Sequence, residues 1–159
     1  MRRSKQRWCF VLIVFVLGLI PLQAAGAARE LSEEVLTHLT KGFAELSENR
    51  LAAAQEEFAK VIREDFDNPF ANNNLAVIME KQGKLPDAAA YLKVAAAFAG
   101  AYHQKIETLY LIGGVVAAAK PEKATGSQSQ IAPLIAENRR KLADKMGVPL
   151  EDTGPPPEK

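Results

Sequence analysis

The sequence predicts an all-α fold, a short α-solenoid of helix–turn–helix pairs closed by a C-terminal capping helix. Ala, Leu, Glu, Lys and Gln dominate residues 30–147, and these residue types favour helix. Apolar residues recur at spacings of three and four, and no segment alternates as a half-buried strand does. Asn49 and Gly83 separate the helical segments into pairs, which is typical of repeats that stack on one another.

Residues 1–27 have the layout of a secretory signal peptide. Four basic residues precede a 13-residue run without charged side chains, Trp8–Ile20, and Ala25-Gly26-Ala27 then fits the small-x-small cleavage rule. We predict cleavage after Ala27 and a periplasmic location. The alternative is an uncleaved membrane anchor, because Trp8–Ala28 is an apolar span of 21 residues that is long enough to cross a bilayer. The rest of the chain would then still face the periplasm.

The predicted mature chain excludes several function classes by its composition. Its sixteen basic and nineteen acidic residues give a charge of −3, which does not favour nucleic-acid binding. Cys9 leaves with the signal peptide, so no disulfide or zinc–thiolate site is expected. The basic cluster Arg139-Arg140-Lys141 is predicted to be a solvated helix surface.

Six helices are predicted, and each has a local reason to begin or end. Ser32 suits the N-cap of the first helix, Pro69 suits the first position of the third, and Gly147 suits the end of the sixth. Gly113-Gly114 is predicted to break or bend the fifth helix. The predicted helices cover, in order, residues 32–48, 51–64, 69–82, 86–99, 101–119 and 130–146.

These helices define the predicted organisation of the chain. Helical repeats occupy residues 30–120, a polar linker follows at 121–129, and the capping helix lies within 130–147. Residues 148–159, with three consecutive prolines, are predicted to be a disordered tail.

Helices three and four resemble a tetratricopeptide repeat, a 34-residue unit with signature residues at fixed positions. With Pro69 as the first position, six of seven signature positions fit and Asn72 departs from the pattern. The fitting residues are Leu75, Ala76, Met79, Ala88, Leu92 and Ala95. Residues 33–64 resemble a second, more degenerate copy, and a third unit can begin at His103. The resemblance implies a right-handed solenoid whose first helices line a concave groove that binds a partner's peptide or helix.

The resemblance also implies which side chains line that groove. Asn73 and Asn74 are of special interest, because an asparagine amide can bond both the N–H and the C=O of an extended peptide. The alternative is that Asn72-Asn73-Asn74 is only polar helix surface. The groove residues predicted for partner binding are Thr37, His38, Lys41, Phe70, Asn73, Asn74, Val77, Glu80 and Lys81. Glu34 and Glu45 are further groove positions of the first repeat, and Gln104, Glu107 and Thr108 could extend the groove.

No catalytic set is recognisable in the sequence, so we predict no enzyme activity, no cofactor and no metal. The one metal hypothesis is His103 with Glu107, an i,i+4 pair if this segment is helical, and an ordinary surface pair is favoured over it. The predicted function is that of an exported adaptor that binds a partner protein, in envelope assembly or secretion. The alternative is a self-assembling scaffold of a cell-envelope complex.

Overall fold

The computed structural model describes residues 28–149 and shows a mostly helical chain with one small antiparallel sheet. The predicted signal peptide or anchor, and the tail from residue 150 onward, lie outside these residues. A short 3₁₀ turn, Ala99–Ala101, joins the fourth helix to the first strand. The main elements are α1 Glu33–Ser47, α2 Leu51–Glu64, α3 Pro69–Lys81, α4 Leu85–Phe98, β1 Gln104–Tyr110, β2 Ala117–Thr125 and α5 Ile131–Met146.

The first four predicted helices and the last one are confirmed, and their ends have local causes. The Ser32 side chain accepts a hydrogen bond from the Val35 amide and so caps α1. The Asn68 side chain caps α3 in the same way, and Pro69 occupies the first turn. Gly147 ends α5 with a φ of 69°, a conformation that glycine adopts without steric cost.

The helices pack around α3, which is buried from Pro69 to Glu80. Consecutive helices pair as α1 with α2 and α3 with α4, and α3 also contacts α2 and strand β2. A helix that is covered on all sides is the centre of a small domain. The largest fully buried side chains are Tyr102, Phe58, Phe70, Leu39, Leu46, Ile78, Leu92, Ile131, Ile135 and Leu142.

The close packing of α1 on α2 depends on Gly42. A Cβ added to Gly42 would lie 2.6 Å from Cε1 of the buried Phe58 ring. We expect Gly42→Ala to destabilise the protein, because overpacking costs about 1–3 kcal/mol and alanine regains only about 1 kcal/mol of helix propensity. Urea unfolding followed by circular dichroism measures the change. Gly100→Ala is the control, since a Cβ there meets nothing within 4 Å, and an equal effect of both substitutions would contradict the packing argument.

The predicted fifth helix, residues 101–119, is wrong, and with it the prediction of an all-α fold. Most of this segment forms a β-hairpin. The second strand of the hairpin continues to Thr125 and so includes the first part of the predicted linker, which covers residues 121–129. β1 pairs antiparallel with β2, with Glu107 opposite Lys120 and Leu109 opposite Ala118. The register is irregular between Gln104 and Ile106.

Gly113-Gly114 is a turn between two strands and not a bend in a helix. The Gly114 amide donates to the Leu111 carbonyl, which closes a four-residue turn, and Gly113 has a φ of 75°. A positive φ at the third residue of such a turn favours glycine. The turn therefore reverses the chain within the connection between Tyr110 and Ala117.

The segment just after the predicted cleavage position is held on the fold. The Arg29 guanidinium donates to Asp67 at 2.9 Å and to Asp65 at 3.1 Å, and it lies 5.1 Å from the centre of the Tyr102 ring. The Tyr102 hydroxyl donates to Asp65. Burial and the neighbouring Asp65 carboxylate raise the pKa of Tyr102 above its usual range, so the phenol stays a neutral donor.

Candidate functional site

Three buried asparagines hold strand β2, and we call Asn73, Asn74 and Asn138 the asparagine cluster. Asn74 accepts from the Ala119 amide and donates to the Ala119 carbonyl, both at 2.8 Å. Asn138 forms the same two bonds with Ala117, both at 2.9 Å. Asn73 donates to the Ala117 carbonyl and to the side-chain oxygen of Asn74, and it accepts from Asn138, so the three amides form one network.

The asparagine cluster takes the place of a third strand. In an antiparallel pair, alternate residues direct both backbone groups away from the neighbouring strand. Ala117 and Ala119 are two such residues of β2, and their outward groups bond to asparagine amides. Pro121, two residues further on, has no N–H and therefore leaves no donor unpaired on this side of the strand. Prolines within sheets typically occur in edge strands for this reason. The cluster thereby satisfies backbone groups whose burial would otherwise be costly.

A buried carboxylate holds the connection between the strands. The Glu80 side chain is 1% exposed, and it accepts from the amides of Val115 and Val116 at 3.0 and 3.3 Å. Lys145 of α5 donates to the same carboxylate at 2.7 Å. A buried charge that has both a counter-charge and backbone donors avoids the penalty of an unpaired ion.

This fixed connection presents apolar side chains to solvent. Ile112 is 96% exposed and Tyr110 is 59% exposed, and we call these two residues the hairpin tip. Lys81 donates to the Ile112 carbonyl at 2.8 Å, and Lys141 lies 5.5 Å from the centre of the Tyr110 ring. Shallow cavities of about 650 and 430 Å³ flank the tip. The tip is therefore an apolar knob on an anchored loop.

The structure places the predicted groove residues of α3 beneath the hairpin. Asn73, Asn74 and Val77 are fully buried, and Glu80 is also a buried residue. Phe70 is also fully buried, with its ring edge-to-face with Tyr102 at 6.1 Å. The asparagines bond an extended backbone as the sequence suggested, but that backbone is β2 of the same chain. Partner binding by these residues stays a prediction, and their surface is not open in this structure.

The predicted groove residues of α1 lie elsewhere on the surface. Thr37 and Lys41 are exposed, and His38 is half-buried with its Nδ1 2.6 Å from a Glu57 carboxylate oxygen. Lys81 is half-buried beside the hairpin tip. The structure therefore does not bring the α1 and α3 residues together into one open groove.

The geometry behind the metal hypothesis is absent, because Glu107 lies in a strand and not on a helix with His103. Residues four apart in a strand are separated by about 13 Å. Glu107 forms an ion pair with Lys120 of β2. Within residues 28–149 there is no group of three or more His, Cys, Asp or Glu side chains that could hold a metal ion.

The same residues contain no helix long and apolar enough to span a membrane. Comparison of the chain with protein-family models, with curated proteins and with solved structures finds no match. Function must therefore be argued from this chain's own surfaces.

Sequence reasoning missed both Asn138 and the hairpin tip. Asn138 lies on the buried face of α5, and a single polar residue in a helical stripe gives no signal of its partner. The tip did carry a signal, because Gly113-Gly114 lies between Thr108-Leu109-Tyr110 and Val115-Val116, and a Gly-Gly pair between β-prone residues indicates a hairpin.

Proposed function

We propose that the protein is an exported interaction module without enzyme activity, which binds a protein partner through its hairpin tip. The helices α1 to α4 act as a scaffold of two tetratricopeptide-like pairs. The proposed setting is the periplasm, in envelope assembly or secretion, with the chain either free or held by an uncleaved N-terminal anchor. The self-assembling scaffold remains the second candidate.

The observation that carries the proposal is the exposure of Ile112 on an anchored loop. A fully exposed isoleucine has an unfavourable contact with water that a partner's surface would remove. Lys81 donates a hydrogen bond to the Ile112 carbonyl, and Glu80 accepts from the amides of Val115 and Val116. Because these bonds already order the loop, it loses little conformational entropy on binding. An apolar anchor on a preorganised support is typical of the residues that dominate interface energies.

The hairpin tip replaces the concave groove as the favoured binding surface. β2 already occupies the position that a partner's extended peptide would need beside Asn73 and Asn74. An incoming peptide would have to break the bonds of the asparagine cluster and expose the buried Ala117 and Ala119. Binding at the tip requires neither.

The test is crosslinking in the envelope of cells that carry tagged and untagged copies, with Ile112→Ser compared with the unaltered protein. We expect Ile112→Ser to abolish the crosslinked product, whether the product contains another protein or the untagged copy. Folding should be unchanged, because Ile112 is exposed. Phe66→Ser is the matched control, since Phe66 is also exposed at 58% and lies outside the tip. Equal crosslinking by the Ile112→Ser variant would overturn the proposed function.

A further inference from the structure

A second surface feature lies at the opposite end of the hairpin from the tip. It is a cavity of about 330 Å³ beside the start of β1 and the end of β2, and we call it the acidic pocket. Leu31 and Leu36 contribute its apolar side chains. Its charged side chains are Glu30, Glu33, Glu122 and Lys123, so the carboxylates are in excess.

The acidic pocket also contains an unpartnered hydrogen-bond acceptor. Gln104 lines the pocket and is 3% exposed. Its Nε2 donates to the Arg29 carbonyl at 2.8 Å, but its Oε1 has no hydrogen-bond partner among the described residues. A buried polar atom without a partner is costly, so this end of the hairpin carries an unsatisfied hydrogen-bond acceptor.

The hairpin tip has the complementary chemistry. The cavities beside it are lined by four cationic side chains, Lys81, Arg140, Lys141 and Lys145, and by one anionic side chain, Asp144. Glu80 pairs with Lys145, Glu137 pairs with Arg140 and Lys141, and Asp144 pairs with Arg140. The four cations thus meet three carboxylates, and the rim keeps a small cationic excess. The knob has an apolar centre and a basic rim, whereas the pocket has apolar walls and an acidic rim.

We propose that the partner of the hairpin tip is a second copy of this chain, which accepts the tip in its acidic pocket. This inference rests on the proposed function and names its partner. Ile112 of one copy packs on Leu31 and Leu36 of the next. The carboxylates of the pocket face the cationic rim of the tip.

The contact is head-to-tail, because the two surfaces lie at opposite ends of β1, a strand of about 20 Å. In an open oligomer, a heterologous contact leaves one free tip at one end and one free pocket at the other. It therefore produces an open chain or a ring, and the protein should grow with concentration instead of stopping at a dimer.

The test is sedimentation of the purified protein over a wide concentration range, with two variants that each damage one surface. We expect the unaltered protein to grow with concentration. Ile112→Glu, which places a carboxylate against an acidic pocket, and Glu122→Lys, which reverses charge in the pocket, should each weaken assembly by about tenfold or more. Glu56→Lys on the exposed face of α2 is the matched charge reversal and should assemble normally.

Mixing the two variants tests the head-to-tail geometry. The Glu122→Lys variant keeps an intact tip and the Ile112→Glu variant keeps an intact pocket, so an equal mixture should form heterodimers that grow no further. A tip-to-tip dimer would instead leave the Glu122→Lys variant fully associated by itself, and that result would overturn the inference. A protein that stays monomeric at every concentration would also overturn the inference of a second copy as partner. In that case, Ile112-dependent crosslinking to another envelope protein would still support the proposed function.

Discussion

Replacing Asn74 with alanine is expected to lower the free energy of unfolding by about 2–6 kcal/mol. Asn74 bonds both the amide and the carbonyl of Ala119, and all of these groups are buried. The substitution leaves both backbone groups without a partner, and each costs about 1–3 kcal/mol when it is buried and unsatisfied. Urea unfolding of the purified protein, followed by circular dichroism, measures the loss.

Two further substitutions make this result specific. Asn74→Asp keeps an acceptor for the Ala119 amide but places a carboxylate oxygen against the Ala119 carbonyl, so we expect it to destabilise at least as much as alanine. Thr37→Ala alters another predicted groove residue, and since Thr37 is exposed it should change stability by less than about 0.5 kcal/mol. Similar effects of Asn74→Ala and Thr37→Ala would show that the asparagine cluster does not hold β2.

The helices were predictable because their signals are local. Ser32, Pro69 and Gly147 each act within one turn of the helix end that they mark, and the apolar spacing of α1 to α4 follows from one period. The two predictions that failed, the fifth helix and the first part of the linker, cover the segment whose structure depends on distant residues.

Local preference indicates the turn at Gly113-Gly114 but not strand β2, because Ala117-Ala118-Ala119 favours helix when it is considered alone. These residues are extended because Asn74 and Asn138, 45 and 21 residues away, bond their outward backbone groups. Their small side chains also allow β2 to approach α3 closely. These tertiary hydrogen bonds thus outweighed the helix propensity of the three alanines. Strand β2 occupies the position beside the asparagines where the sequence predicted a partner's peptide.

Replacing Glu80 with alanine is expected to lower the free energy of unfolding by about 2–5 kcal/mol, because two backbone amides lose their acceptor. The substitution leaves the amides of Val115 and Val116 and the ammonium of Lys145 without their shared acceptor. Lys145 is 37% exposed and can be solvated, so the larger part of the loss should come from the two amides. Urea unfolding measures the total.

A double-mutant cycle separates these contributions. We expect Lys145→Met to destabilise the protein as well, because it leaves the buried Glu80 carboxylate with two amide donors but without its counter-charge. The coupling between the two sites should lie at about 0.5–3 kcal/mol. Full additivity would show that the ion pair contributes nothing. Since Glu80 fixes the loop that presents Ile112, the Glu80→Ala variant should also bind the proposed partner more weakly at temperatures where the variant is fully folded. Unchanged binding there would mean that the hairpin tip does not depend on a preorganised loop.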